Sequence, residues 1–246
     1  MKIAYFDCFA GASGDMILGT LVDAGVPLEV LKQELEKLNL SGFRLQAEKV
    51  QKKHLGATSI TVSVEGNQPE RHLTDIQQII QRSHLSPNVK VKSIQIFQRL
   101  AQAEAKIHQT TPEKIHFHEV GAVDAIVDTV GAVIGLEYLN IQQLFVSAFP
   151  ISHGFVDCAH GKLPLPAPAT VELLKGFSLI PRDVEGELVT PTGAAILSTL
   201  AQPGQPLPEI ILEKVGYGAG EKDFPFPNLL RMFIGVGGAK QENYFA

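Results

Sequence analysis

Apolar and polar positions change period several times along the chain. Lys2 to Phe6 (KIAYF) is dense in strand formers and runs into a small-residue turn, FDCFAGASGDM, from Phe6 to Met16. MILGTLVDAG then places apolar residues at helical spacing, with Gly25 and Pro27 as stop signals, and Leu28 to Leu40 predicts a second amphipathic helix ending near Gly42. From Phe43 to Val64 the pattern is strand-like, and ATSITVSV alternates as a half-buried strand does. The polar stretch at 65–72, EGNQPERH, reads as a mobile loop.

Helices are predicted over His72–His84, over Lys90–Gln109 and over most of His116–Leu139, where the Ala/Gly/Val-rich part near 120–139 is apolar enough to be buried. The last third is Pro-rich: PLPAPAT predicts a rigid extended segment before a helix near Pro168, Thr190-Pro191 predicts another helix start, and NLLRMFIGV a closing strand. GYGAG reads as a bulge or turn. Strands and helices intermix without a βαβ rhythm, which predicts a mixed α/β fold with helices packed on a sheet, its topology left open.

At 246 residues the chain is long enough for one large unit, taken as 1–246, since domains commonly run to roughly 100–200 residues. With 45% apolar and 19% charged residues it is far from the composition of a disordered chain. A net charge of −5 with scattered Lys and Arg offers no basic face for a phosphate backbone, so nucleic acid is not an expected partner. No positive n-region precedes a long apolar stretch, and no apolar run approaches the ~20 residues that span a bilayer, so a cytoplasmic protein with no membrane contact is expected. Cys8 and Cys158 form no CxxC pair; for each the plain reading is a small buried hydrophobe and the sharper one a soft metal ligand or a redox-sensitive thiol.

Three stretches carry candidate chemistry. In FDCFAGASGDM a strand passes through small residues into a helix, which aims backbone N–H groups and the positive helix end at one spot. Ser13 is placed to cap that helix or to bind a phosphate oxygen; Asp15 suits the helix dipole or a divalent cation. Asp7 ends an apolar strand, where an ionised carboxylate needs a partner. The pattern matches neither GxxxxGK[ST] nor GxGxxG.

HFHEVGAVDAIVD gathers His116, His118, Glu119, Asp124 and Asp128 into thirteen residues. Asp124 and Asp128 share one helix face, where like charges repel unless a cation, an Arg or a shared proton intervenes. Such mixed N and O donors suit nickel, manganese, zinc or iron, whereas loop, cap and salt-bridge roles are the plain alternative. In GELVTPTGAAIL, Thr190 and Pro191 form a strong helix start. Thr192 and Gly193 offer the same N–H groups to an anion, and Glu187 is a candidate ligand or base.

Four ordered blocks, FDCFAGASGDM, HFHEVGAVDAIVDTVG, HGKLPLPAPATVELLKG with GELVTPTGAA, and KVGYGAGEKDF with PNLLRMFIG, closely resemble the LarC family of nickel insertases. These lyase-class metal chelatases act in the biosynthesis of the nickel-pincer nucleotide cofactor. The resemblance implies insertion of nickel into pyridinium-3,5-bisthiocarboxylic acid mononucleotide, with nickel–carbon and nickel–sulfur bonds formed as a ring proton leaves, and dependence on CTP with manganese or magnesium. The expected partners are that mononucleotide, a C-terminal family region or separate subunit carrying the CTP site, and a second copy of the chain.

With the resemblance, metal is expected at Asp7, Asp15, His116, His118, Glu119 and Asp124, and nucleotide phosphate near Gly11, Ser13, Gly14, Thr190 and Thr192. Asp128 and Glu187 are the acids expected to move or hold a proton. Two departures stand out: where many members carry a His-rich run, this chain has only PERH with His72, and family proteins extend well past its length. A nickel-binding metallochaperone-like module and a metal-dependent nucleotide hydrolase or phosphotransferase are the competing readings.

Overall fold

The computed structural model describes residues 1–65, 71–117, 123–158, 161–202 and 207–237. Its elements, in chain order, begin with β1 (Lys2–Asp7), α1 (Gly14–Asp23), α2 (Leu28–Glu36), β2 (Phe43–Lys52), β3 (Leu55–Val64), β4 (Arg71–His72), α3 (Leu73–Arg82) and α4 (Pro87–Ile107). A single 3₁₀ turn (Pro112–Lys114) leads to β5 (His116–Phe117), α5 (Val123–Tyr138), β6 (Gln143–Val146), β7 (Phe149–His153), β8 (Phe155–Cys158) and β9 (Gly161–Pro164). The chain continues through α6 (Pro168–Leu173), β10 (Leu179–Glu185), α7 (Pro191–Leu200), β11 (Ile210–Ala219) and β12 (Leu229–Gly237).

Six strands form one mixed sheet in the order β2-β3-β11-β12-β1-β6. β1 pairs antiparallel with β12, from Lys2↔Val236 to Asp7↔Arg231, and parallel with β6. Alternation along β1 then decides which side chains meet the helices. Ala4, Phe6 and the following Cys8 are fully buried in the main core with residues of α1 and α5. Ile3 and Tyr5 turn to the other face, where they pack with Phe145 and Phe233. The backbone N–H of Cys8 donates to Ser147 Oγ at 2.9 Å, and burial pushes its thiol well above the usual range, so Cys8 takes the plainer of its two expected roles.

Close helix-to-sheet contact explains the glycines of KVGYGAG. Gly216 and Gly218 lie inside β11 rather than in a turn, Gly220 follows its last residue, and the register shift falls earlier, between Leu212 and Lys214. A Cβ on Gly218 would overlap the Met16 carbonyl oxygen, and one on Gly19 would stand 2.5 Å from the Thr58 carbonyl oxygen, so α1 rides directly on backbone. Gly218→Ala is therefore expected to cost about 3 kcal/mol by overpacking, read as a lowered thermal midpoint of the chain. α5 lies behind α1, its Gly131 and Gly135 against Leu18 and Leu21, which accounts for its small-residue composition.

The expected loop at 65–72 is shorter than its pattern suggests. Arg71 and His72 form β4 against β5, and His72 caps α3 in a reciprocal pair with Asp75, its N–H donating to Asp75 Oδ2 at 2.8 Å. Residues 66–70 lie outside the described residues. Among the described residues no helix is long and apolar enough to cross a membrane.

Candidate functional site

Two loops far apart in sequence are joined backbone to backbone. The Ala12 N–H donates to the Leu188 carbonyl at 2.9 Å and the Thr190 N–H to the Ala12 carbonyl at 3.1 Å, a parallel bridge between the turn after β1 and the approach to α7. Gly11, at φ +131°, supplies the left-handed geometry, and any Cβ there would overlap the Leu188 carbonyl oxygen. On the other loop, a Cβ on Gly193 would overlap the Ala12 carbonyl oxygen. The small residues of FAGASGD thus fit backbone against backbone. Gly14 faces protein too, because a Cβ there would overlap the Asp128 carboxylate. The space a side chain would occupy at Gly11 and Gly14 is thus taken by protein atoms.

This stitching sets the starts of α1 and α7 beside one cavity of 170 Å³. Ser13, Asp15, Glu187 and Thr190, four of the residues singled out in the sequence, line it. Thr190 caps α7, its Oγ1 accepting from the Gly193 N–H at 3.1 Å. Ser13 precedes α1 but makes no cap hydrogen bond; its hydroxyl donates to Asp15 Oδ1 instead. Thr192, half-buried on the first turn of α7, is not among the lining residues.

The acids are placed unequally. Burial raises the Asp15 carboxyl above the usual carboxylate range; Ser13 and nearby backbone N–H groups partly offset this, and the Glu221 charge adds to it. Asp128 lies behind the Gly14–Asp15 turn. Its Oδ1 is buried and, among the described residues, has no hydrogen-bond partner. Burial above all, then the charges of Asp15 and Asp124, push its carboxyl well above the ordinary range. Asp124 is exposed on the first turn of α5. Three carboxylates of the two acidic stretches are therefore near enough to feel one another.

Asp7 stands apart. It shares the sheet face of Ile3 and Tyr5, and Arg231 Nη2 and Nε donate to its Oδ2 at 2.5 and 3.1 Å. The partner that this strand-end carboxylate has in the structure is a guanidinium, itself lying over the Phe9 and Phe233 rings. The His116 backbone pairs with His72 across β4 and β5, while His118 and Glu119 lie outside the described residues. Among the described residues no three His, Cys, Asp or Glu side chains already converge as a metal site.

Residues 4–245 match the family model described as nickel insertion protein. The chain belongs to the nickel insertion protein family. It is 55% identical over 235 residues to the pyridinium-3,5-bisthiocarboxylic acid mononucleotide nickel insertion protein of Desulfitobacterium hafniense strain DCB-2, covering 96% of this chain and 58% of that protein. The protein of the same name from strain Y51 is likewise 55% identical, with the same coverage. A relative from Dictyoglomus thermophilum, named for nickel insertion alone, is 48% identical, covering 96% of this chain and 61% of its own length. The chain thus spans about three fifths of the length of the curated relatives it matches. No solved structure matches it.

In this member of the nickel insertion family the cavity also takes lining residues that the sequence reading passed over: Glu221, Lys222 and Asn228, on the loop between β11 and β12. The signal that could have found them was the charged run EKD directly after GYGAG, which joins two strands of one sheet and so ends at the same sheet edge as the turn after β1.

Proposed function

We propose that this chain is the portion of a nickel insertion protein that takes up nickel as cargo in the acid-lined cavity and presents it to pyridinium-3,5-bisthiocarboxylic acid mononucleotide. The supporting observation is that carboxylates from three separate segments, Asp15, Glu187 and Glu221, line one cavity. Carboxylate oxygen is a hard donor and thiocarboxylate sulfur a soft one, so nickel held here binds more favourably to substrate sulfur than to protein. That difference sets the direction of transfer.

Asp15 and Glu221 are assigned as nickel donors, with Asp124, His116, His118 and Glu119 kept in the proposed donor set on sequence alone. Glu187 is assigned as acceptor of the ring proton that leaves, because it lines the cavity whereas Asp128 sits behind the turn. Asp128 holds the Gly14–Asp15 turn in place and keeps a proton. CTP with manganese or magnesium, a C-terminal family region or separate subunit, and self-association complete the proposal.

The test mixes the chain with nickel, the bisthiocarboxylate mononucleotide, manganese and CTP, with and without the remaining family region, and reads activation of the apo form of a racemase that depends on the nickel-pincer cofactor. Nickel binding by the chain alone and cofactor formation only with the added region are expected. Nickel binding with no cofactor in either mixture leaves a metallochaperone-like holder, and turnover of simple phosphoesters points to a hydrolase; either result overturns the insertion reading.

A further inference from the structure

The charged residues among the described lining of the cavity are three acids, Asp15, Glu187 and Glu221, and one base, Lys222. A mononucleotide of a pyridinium acid carries a phosphate as well as the ring that is to meet nickel. Like charges repel, so a phosphate is disfavoured among the carboxylates that suit the metal.

The hydroxyls of the lining are neutral donors only: Ser13 Oγ–H is already given to Asp15, and Thr190 Oγ1 accepts the Gly193 N–H and keeps its single O–H to donate. By contrast, the Lys222 ammonium forms no ion pair among the described residues, although the nearby Lys52 pairs with Asp223 at 2.8 Å.

The backbone that carries Lys222 is tied down. Buried Asn228 donates from Nδ2 to the Lys222 carbonyl at 2.8 Å, and its own carbonyl accepts the Gly220 N–H at 3.0 Å. Lys52 Nζ donates to the neighbouring Glu221 carbonyl at 3.1 Å. A fixed backbone with an uncommitted ammonium at a cavity lowers the ordering cost of binding an anion.

We propose that Lys222 recognises the phosphate of the substrate mononucleotide and so points its pyridinium ring toward Asp15, Glu187 and Glu221. This rests on the cavity being the nucleotide site, and it replaces the expectation of a phosphate at Gly11, Ser13, Gly14, Thr190 and Thr192. Asn228 is a positioning residue for Lys222.

Titration calorimetry with nicotinate mononucleotide and with nicotinate riboside, which lacks the phosphate, tests it on the wild-type chain and on Lys222→Gln and Lys222→Arg. A charge-assisted hydrogen bond predicts that the wild type prefers the mononucleotide by about tenfold or more. Lys222→Gln is expected to bind the two compounds alike and Lys222→Arg to restore the preference, both with unchanged nickel stoichiometry. An undiminished preference in Lys222→Gln overturns the assignment and leaves the nickel reading standing. A wild type that binds nickel but shows no preference for the phosphate also overturns it. A wild type that binds neither nickel nor nucleotide removes the cavity reading with it.

Discussion

Asp15→Asn is expected to lower nickel affinity by about 100-fold while leaving the chain at least as stable without metal. The two effects have one cause. Asp15 lines the cavity and accepts hydrogen bonds from Ser13 and from backbone N–H groups, yet burial and the Glu221 charge raise its carboxyl above the ordinary range. Its ionised form is therefore a cost to the apo fold at neutral pH, and a divalent cation offsets that cost. Removing a donor carboxylate is expected to weaken metal binding at least as much as removing an outer partner of a ligand, which typically costs 10–100-fold. Equilibrium dialysis with elemental analysis reads the affinity and a melting curve reads the stability. Loss of both together would mean that Asp15 is structural.

Asp128→Asn is the second large effect, in the opposite direction. The folded chain keeps the Asp128 carboxyl protonated to well above the ordinary carboxylate range, whereas the unfolded chain releases that proton near pH 3.9. Between those two values the native state binds more protons, so stability falls as pH rises through the window and is lowest above it. Each unit of upward shift costs about 1.4 kcal/mol at neutral pH. An amide cannot ionise, so the variant is expected to be the more stable chain at pH 7 without metal and to lose most of the wild-type fall in stability above pH ~4; Asp15 retains a smaller share. A wild-type and variant pair with parallel pH profiles would show that Asp128 is ionised in the fold.

How far the sequence carried varies with the range of the interactions concerned. The Thr190-Pro191 helix start, the buried small-residue helix near 120–139 and the strand character of Phe43 to Val64 were legible because their causes are local: a cap, a 3.6-residue period and a two-residue alternation. The sheet order was not, since β1 pairs with a strand more than 220 residues later, and no local pattern encodes that. Ser13, Asp15, Glu187 and Thr190 were chosen singly, and the fold brings them to one cavity.

Asp7 shows why the remainder was hidden. Its need for a partner was legible, but the partner is Arg231 on the adjacent strand, and only the register Asp7↔Arg231 reveals a guanidinium where a metal was expected. At Gly11 and Gly14 a requirement for close approach was visible, but not that Leu188 and Asp128 are among what approaches. Lys222 and Asn228 went unnoticed because a charged run after a glycine stretch gains meaning only when strand pairing delivers it to the cavity.

Diffraction from nickel-soaked crystals at the nickel absorption edge tests the central claim most directly. An anomalous peak bonded to carboxylate oxygens of Asp15 and Glu221, beside Glu187, is the predicted result. A peak elsewhere on the chain with this cavity empty would contradict it.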